Sequence, residues 1–276
     1  MTHPMTHPPA AVSLHHTVDG PQGAPPLLLG PSLGTTLALW NPQLPTLSRQ
    51  FRVIRWNLPG HGGAPEPGPA PTTVPGLARR VLYLADTLGI DRFAYAGVSL
   101  GGAVGAWLAA YHPERLVSLA LICSSARFGA PGAWRERAAL VRAKGTGPVA
   151  DTAAARWFTP AFAGSPQATA LVEALRRTVT PAGYAACCDA LAAYDLRAEL
   201  PRIAAPTLVI AGREDPATPP AHARELADGI PGATLLELPG AAHLANAERP
   251  AQVLAALLAH ATGIPAFGHL AEGADQ

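Results

Sequence analysis

The stretch from residue 93 to residue 111 constrains this chain more than any other. An apolar run, Phe93-Ala-Tyr-Ala-Gly-Val98, leads without a linker into Ser99, and residues 100–111 then carry a helical pattern. Gly97, Gly101 and Gly102 surround the serine. A strand that becomes a helix within one residue needs small neighbours, because side chains there would collide. Such a turn lifts the serine hydroxyl to the carboxyl end of a sheet and aims a helix N-terminus at it. The chain is therefore expected to be α/β.

The rest of the first half agrees. Short apolar runs at 26–30, 51–56 and 116–122 alternate with helical patterns at 76–88 and 100–111, the first of them stopped by Gly89. That alternation implies a mostly parallel central sheet with helices on both faces. Between about 126 and 202 no strand pattern is found, only helical stretches at 134–144, 168–178 and 183–193. Strands at 207–211 and 234–238 and helices at 220–228 and 250–261 then resume the alternation. The expected organisation is a disordered leader at 1–11, a core formed by 12–125 and 203–276, and an inserted helical lid at 126–202. A chain of 276 residues suits one domain with an insertion better than two full domains.

Several function classes are excluded by composition. Formal net charge is +1 and only 14% of residues are charged, so no basic stripe exists to neutralise phosphates and no nucleic-acid partner is expected. The longest apolar helix, 100–111, stops at His112-Pro113 and is too short to span a bilayer, so no membrane partner is expected. The first residues lack the charged and apolar regions of a signal peptide. Three cysteines, two of them the vicinal pair Cys187 and Cys188, make a poor disulfide framework and suit a reducing compartment. A cytoplasmic protein is expected. Cys123 ends the run at 116–122 and reads as buried filler.

A serine hydroxyl is a weak nucleophile and needs a base. Of ten histidines, His3, His7, His15 and His16 fall in the leader or the first strand, and His112 ends a helix. His222 and His260 read as lying on outward-looking helices, and His269 falls in the tail. His243 stands apart. It follows the strand at 234–238 and precedes the last helix, so its loop hangs over the carboxyl edge where Ser99 is expected. An imidazole base needs an acid to fix its tautomer, and Asp215 follows the strand at 207–211 in the chain order Ser, Asp, His. Glu214 is adjacent, but a shift of one residue on a tight turn points its side chain elsewhere. Glu248 reads as a carboxylate at a helix N-terminus. Acyl transfer also needs amide donors for the oxyanion. Leu100 should supply one backbone N–H and the loop Pro31-Ser32-Leu33-Gly34-Thr35 the other, assigned to Leu33 with Ser32 or Gly34 as alternatives. His61, in Gly60-His61-Gly62 after a strand, is expected to tie loops together by hydrogen bonds.

Taken together, Pro31-Ser-Leu-Gly-Thr-Thr36 with Trp40, Gly60-His61-Gly62, Gly97-Val-Ser-Leu-Gly-Gly102, Ala211-Gly-Arg-Glu-Asp-Pro-Ala-Thr-Pro-Pro220 and Ala241-Ala-His-Leu-Ala-Asn-Ala-Glu248 resemble the 3-oxoadipate enol-lactonases of the α/β-hydrolase superfamily. The resemblance covers roughly 12 to 262. It departs at Asn57 and Pro59, where the family often has aspartate and arginine. The resemblance implies a serine hydrolase that opens the enol-lactone to 3-oxoadipate in aromatic-compound degradation, through an acyl-enzyme and without metal or organic cofactor. It also implies an anionic acetate arm to be bound, and a carboxylate in an apolar pocket requires a cation or several donors. Trp134 is expected to pack on the ring and Arg137 to meet the carboxylate. Arg127 and Arg135 are nearby alternatives, and Ser32 and Thr35 are further substrate contacts. A general carboxylesterase or lactonase with another substrate is the alternative reading. A non-catalytic homologue that binds a ligand would be expected to lack a triad member. Oligomeric state, monomer or small homo-oligomer, is not readable from the sequence.

Overall fold

The apolar runs become strands of one sheet. A computed structural model describes residues 13–263, so the expected leader at 1–11 and His269 lie outside the described residues. In chain order the strands are β1 (His16–Asp19), β2 (Pro26–Gly30), β3 (Arg52–Trp56), β4 (Phe93–Val98), β5 (Leu116–Ile122), β6 (Thr207–Gly212) and β7 (Thr234–Leu238). Their spatial order is β1-β3-β2-β4-β5-β6-β7. All neighbours pair in parallel except β1, which runs antiparallel to β3 at one edge. Every residue of β4 and β6 is buried. Strands covered on both faces show no apolar–polar alternation, which is why they appear in the sequence as unbroken apolar runs.

Helices α1 (Leu44–Gln50), α2 (Val74–Thr87) and α3 (Leu100–Tyr111) lie in the first half of the chain. Between β5 and β6 come only helices: α4 (Pro131–Lys144), α5 (Gly147–Asp151), α6 (Ala153–Trp157), α7 (Pro160–Ala163), α8 (Pro166–Thr178) and α9 (Pro181–Ala192), with a short 3₁₀ turn after them. The core resumes with α10 (Pro220–Gly229), α11 (Ala245–Glu248) and α12 (Pro250–Thr262). Several of these helices start two or three residues before the sequence pattern places them, and each early start has a proline at its first or second position. Thr73, Ser165 and Thr180 cap α2, α8 and α9 by accepting from Gly76, Ala168 and Gly183 amides at 3.0 to 3.1 Å. Proline fits the first turn because its missing N–H would have no partner there anyway.

The strand order reverses between β2 and β4: β3 lies outward on one side, β5, β6 and β7 on the other. In open α/β sheets the carboxyl ends at such a reversal form a crevice. Here the loop after β2 and the turn after β4 meet, with Gly30 registered against Gly97. Contact there is backbone to backbone. A Cβ on Gly101 would stand 2.6 Å from the Gly30 carbonyl carbon, and one on Gly97 would stand 2.3 Å from that of Gly101.

Candidate active site

Ser99 occupies the turn between β4 and α3 with φ 54° and ψ −115°, a left-handed conformation that an L-residue adopts only at a cost. The surrounding backbone holds it there. Its amide donates to Ile122 O at 2.9 Å, and its carbonyl accepts from the Ala103 amide at 3.0 Å and from Ser124 Oγ at 2.8 Å. The Gly101 amide donates to Pro31 O at 3.0 Å, which pins the loop after β2 against the serine turn. Among the described residues, neither the Leu100 nor the Leu33 amide has a hydrogen-bond acceptor, whereas the Gly34 amide donates to His61 Nε2 at 3.2 Å. Gly34 is therefore engaged, whereas the Leu33 and Ser32 amides remain free to donate among the described residues.

His61 is fully buried, its ring held from both sides. Nδ1 lies 2.8 Å from Pro59 O, which only a protonated nitrogen can approach, so Nε2 is the acceptor for Gly34. Burial pushes its pKa down to about 4, partly offset by the Pro59 hydrogen bond, and the ring is neutral near pH 7. The loop-tying role expected of it matches this arrangement. Asn57, where the sequence departs from the family pattern, makes its own cross-links: Oδ1 accepts from the Leu37 amide at 2.8 Å and Nδ2 donates to Gly62 O at 3.1 Å.

At the ends of β6 and β7 the other polar groups converge. His243 Nδ1 lies 2.8 Å from Asp215 Oδ2, with both side chains buried. Asp215 Oδ1 accepts from the Ala217 and Thr218 amides at 2.7 and 2.9 Å, and Thr218 Oγ1 lies 2.6 Å from Oδ2. Burial alone would raise the Asp215 pKa. The His243 ring, its hydrogen bond and the Thr218 donors outweigh that and hold the carboxyl below its ordinary range. Glu214 points elsewhere, as expected: its carboxylate accepts from the Gly240 and Ala241 amides, each at 3.1 Å. Thr218 was not singled out in the sequence, although the Asp-Pro-Ala-Thr run contains it. Cys123, at φ 45° directly after β5, turns its carbonyl to within 3.0 Å of Thr218 Oγ1. Burial raises its thiol pKa, as it does for Cys187 and Cys188, and all three are inert in this state.

Ser99 and His243 open onto one cavity of about 340 Å³, with Ser32 and Leu33 on its core side. The helical block supplies the opposite wall through Phe128, Trp134, Arg137, Arg156, Trp157 and Tyr184. Arg137 stacks over the Trp134 ring at 4.7 Å, and burial pushes the pKa of the neighbouring Tyr184 up to about 12. Arg156 donates to Val149 O at 2.9 Å and to Thr152 Oγ1. Burial, and then the neighbouring Arg137 charge, lowers its pKa; the ordinary value is so high that it stays cationic. Among the described residues neither arginine forms an ion pair with a carboxylate.

Other expected contacts fall outside the cavity wall. Arg127 and Arg135 are not among its lining residues, and Thr35 turns away, donating to Ser32 O at 2.8 Å. His222, read as outward-looking, instead faces the cavity from α10, with its Nδ1 buried and without a partner. His260 is half-buried against β5 and the segment before β6, where burial lowers its pKa. Helix periodicity separates buried from exposed faces but does not show that a helix borders a cavity.

The chain is similar to known proteins over most of its length. A family model described as alpha/beta hydrolase fold matches residues 25–250. The protein named 3-oxoadipate enol-lactonase 2 from Acinetobacter baylyi is 39% identical over 243 residues, 87% of this chain and 89% of that protein. The crystal structure of the enol-lactonase from Burkholderia xenovorans LB400 is 40% identical with a TM-score of 0.86, covering 92% of this chain and all of that one. A thermophilic esterase from Thermogutta terrifontis, solved with malate bound, is 28% identical with a TM-score of 0.80 over 88% of this chain and 91% of its own. Among the described residues, no helix is long and apolar enough to cross a membrane.

Proposed function

The chain belongs to the α/β-hydrolase fold family, and from that membership we propose that it opens 3-oxoadipate enol-lactone to 3-oxoadipate through an acyl-enzyme on Ser99. The observation that carries this reading is the cavity itself. It joins Ser99 and His243 on one wall to two arginines without carboxylate partners on the other. Such a cavity suits a small ester bearing an anionic arm. A neutral ester would leave the Arg137 and Arg156 guanidinium groups without a counter-charge in the cavity.

In this reading His243 takes the Ser99 proton as Oγ attacks the lactone carbonyl, and Asp215 stabilises the resulting imidazolium and fixes its tautomer. The Leu33 and Leu100 amides receive the oxyanion. The ring C–O bond then breaks, and the departing oxygen leaves as an enolate that takes a proton and becomes a ketone. No second product departs, because the leaving group stays tethered to the acyl chain. A water deprotonated by His243 cleaves the acyl-enzyme and releases the dicarboxylate. Trp134 packs on the ring, and Arg137, supported by Arg156, meets the acetate carboxylate.

The helical block from 126 to 202 acts as the lid that shapes this cavity. Three buried, unpaired cysteines suit a reducing cytoplasm. The test is purified protein with enol-lactone generated in situ, followed by loss of lactone absorbance, beside a panel of p-nitrophenyl esters. Turnover of the lactone well above every neutral ester is expected. Preference for a neutral ester would replace this reading with that of a general carboxylesterase.

A further inference from the structure

We propose that Glu248 and Thr159 form a strap that holds His243 in register with the lid wall, making Glu248 a positioning residue for the base. This rests on the reading of His243 as the base for Ser99.

Glu248 closes the short helix α11 and is only 4% exposed, so its carboxylate lies inside the protein. Among the described residues no arginine, lysine or histidine pairs with it. Its partners are instead hydrogen-bond donors from two separate places. One oxygen accepts from the Ala242 amide at 2.9 Å, immediately before His243. The carboxylate also accepts from the Thr159 amide at 3.2 Å and from the Thr159 hydroxyl, in the turn between α6 and α7. A second bond runs between the same two segments: the Leu244 amide donates to Trp157 O at 3.0 Å. Both residues flanking His243 are thus tied to the segment 157–159, and Trp157 lines the cavity.

A buried carboxylate is expensive unless several donors meet it. A helix N-terminal charge, the role suggested by sequence, would need no burial. Glu214 holds the other end of the same loop through the Gly240 and Ala241 amides, but its partners all lie within the core. Glu248 alone of the two carboxylates reaches across to the helical block. General-base catalysis is steep in position, and a shift of about 1 Å can cost on the order of a hundredfold. A strap between the base and the cavity wall therefore sets how well the imidazole meets a serine whose substrate rests on that wall.

The test uses p-nitrophenyl acetate, whose small acyl group does not call on the lid arginines, with Glu248→Gln, Thr159→Val and Thr159→Ser in the full chain. Glu248→Gln keeps the volume but places an amide N–H₂ against an N–H donor; Thr159→Val removes only the hydroxyl. Expected are about tenfold falls in kcat for both, with KM little changed, and return to near wild-type kcat in Thr159→Ser. Thermal unfolding is recorded for each, and Thr159→Val decides the matter if Glu248→Gln fails to fold. Wild-type kcat in Thr159→Val, or a loss that Thr159→Ser does not restore, would overturn the strap. Failure of the underlying reading looks different: His243→Ala would then retain the wild-type rate.

Discussion

The sheet and the helical block meet at one cavity but contribute to it in different ways. On the sheet side, each chemical group is placed mainly by backbone: Ser99 by the strained turn between β4 and α3, Asp215 by two amides and the Thr218 hydroxyl of its own loop, His243 by amide bonds on both flanks. On the helical side the contributions are long side chains, Arg137, Arg156, Trp134 and Trp157, carried on α4 and α6. Strained, fully bonded backbone tolerates little change, whereas a side chain on a helix face can be exchanged without disturbing its neighbours. Under the proposed function, the sheet carries the reaction and the block the choice of substrate.

The largest effects should come from the sheet side. Ser99→Ala is expected to abolish turnover of every ester, and Asp215→Asn to lower kcat about 10⁴-fold, because the imidazole loses its tautomer and its counter-charge. Both are measured with the lactone and with p-nitrophenyl acetate, and should act alike on the two. Loss of only the lactone activity would break the division of labour.

Next come the arginines, which should separate the substrates. Arg137→Ala is expected to raise KM for the enol-lactone by about 10- to 100-fold, the worth of a charged hydrogen bond, while leaving p-nitrophenyl acetate kinetics nearly unchanged. An unchanged lactone KM would remove Arg137 from the binding site.

His61 sharpens the comparison through pH. Burial holds its pKa near 4 in the folded chain, against an ordinary value of 6.5. Between those values the unfolded chain binds a proton that the folded chain refuses, so this contribution is complete above about pH 6.5 and fades as pH falls towards 4. Integrated over that window it amounts to about 3 kcal/mol. Denaturant titrations at pH 7 and pH 4 should show wild type losing about that much more than His61→Gln. Parallel losses would mean that the ring titrates freely.

The smallest effects test whether the two regions unfold together. Thr73→Ala in α2 and Ser165→Ala in α8 each remove an N-cap and should each cost about 1 kcal/mol in one cooperative transition. A separate early transition for Ser165→Ala would show that the block melts on its own.

Much of the sheet side was legible in the sequence, because fully covered strands leave unbroken apolar runs and the serine turn demands glycines at fixed places. The starts expected at 76, 168 and 183 lie two residues late, because a proline stands in the first turn behind a Thr or Ser cap. The short helices α5 to α7 carry too few residues for a period to show. Arg156 and Trp157 were missed for that reason. Glu248 does stand in the first turn of α11, but its bond to Thr159, 89 residues away in the chain, spans a distance no local pattern covers.

The central claim is an acyl-enzyme on Ser99 formed from the enol-lactone, and rapid acid quench followed by peptide mass analysis tests it most directly. Ring opening expels no separate leaving group, so the peptide carrying Ser99 should gain the mass of one whole lactone within the first turnover, and Ser99→Ala should gain nothing. Steady turnover of the lactone by Ser99→Ala, or an adduct on another residue in place of Ser99, would contradict the account.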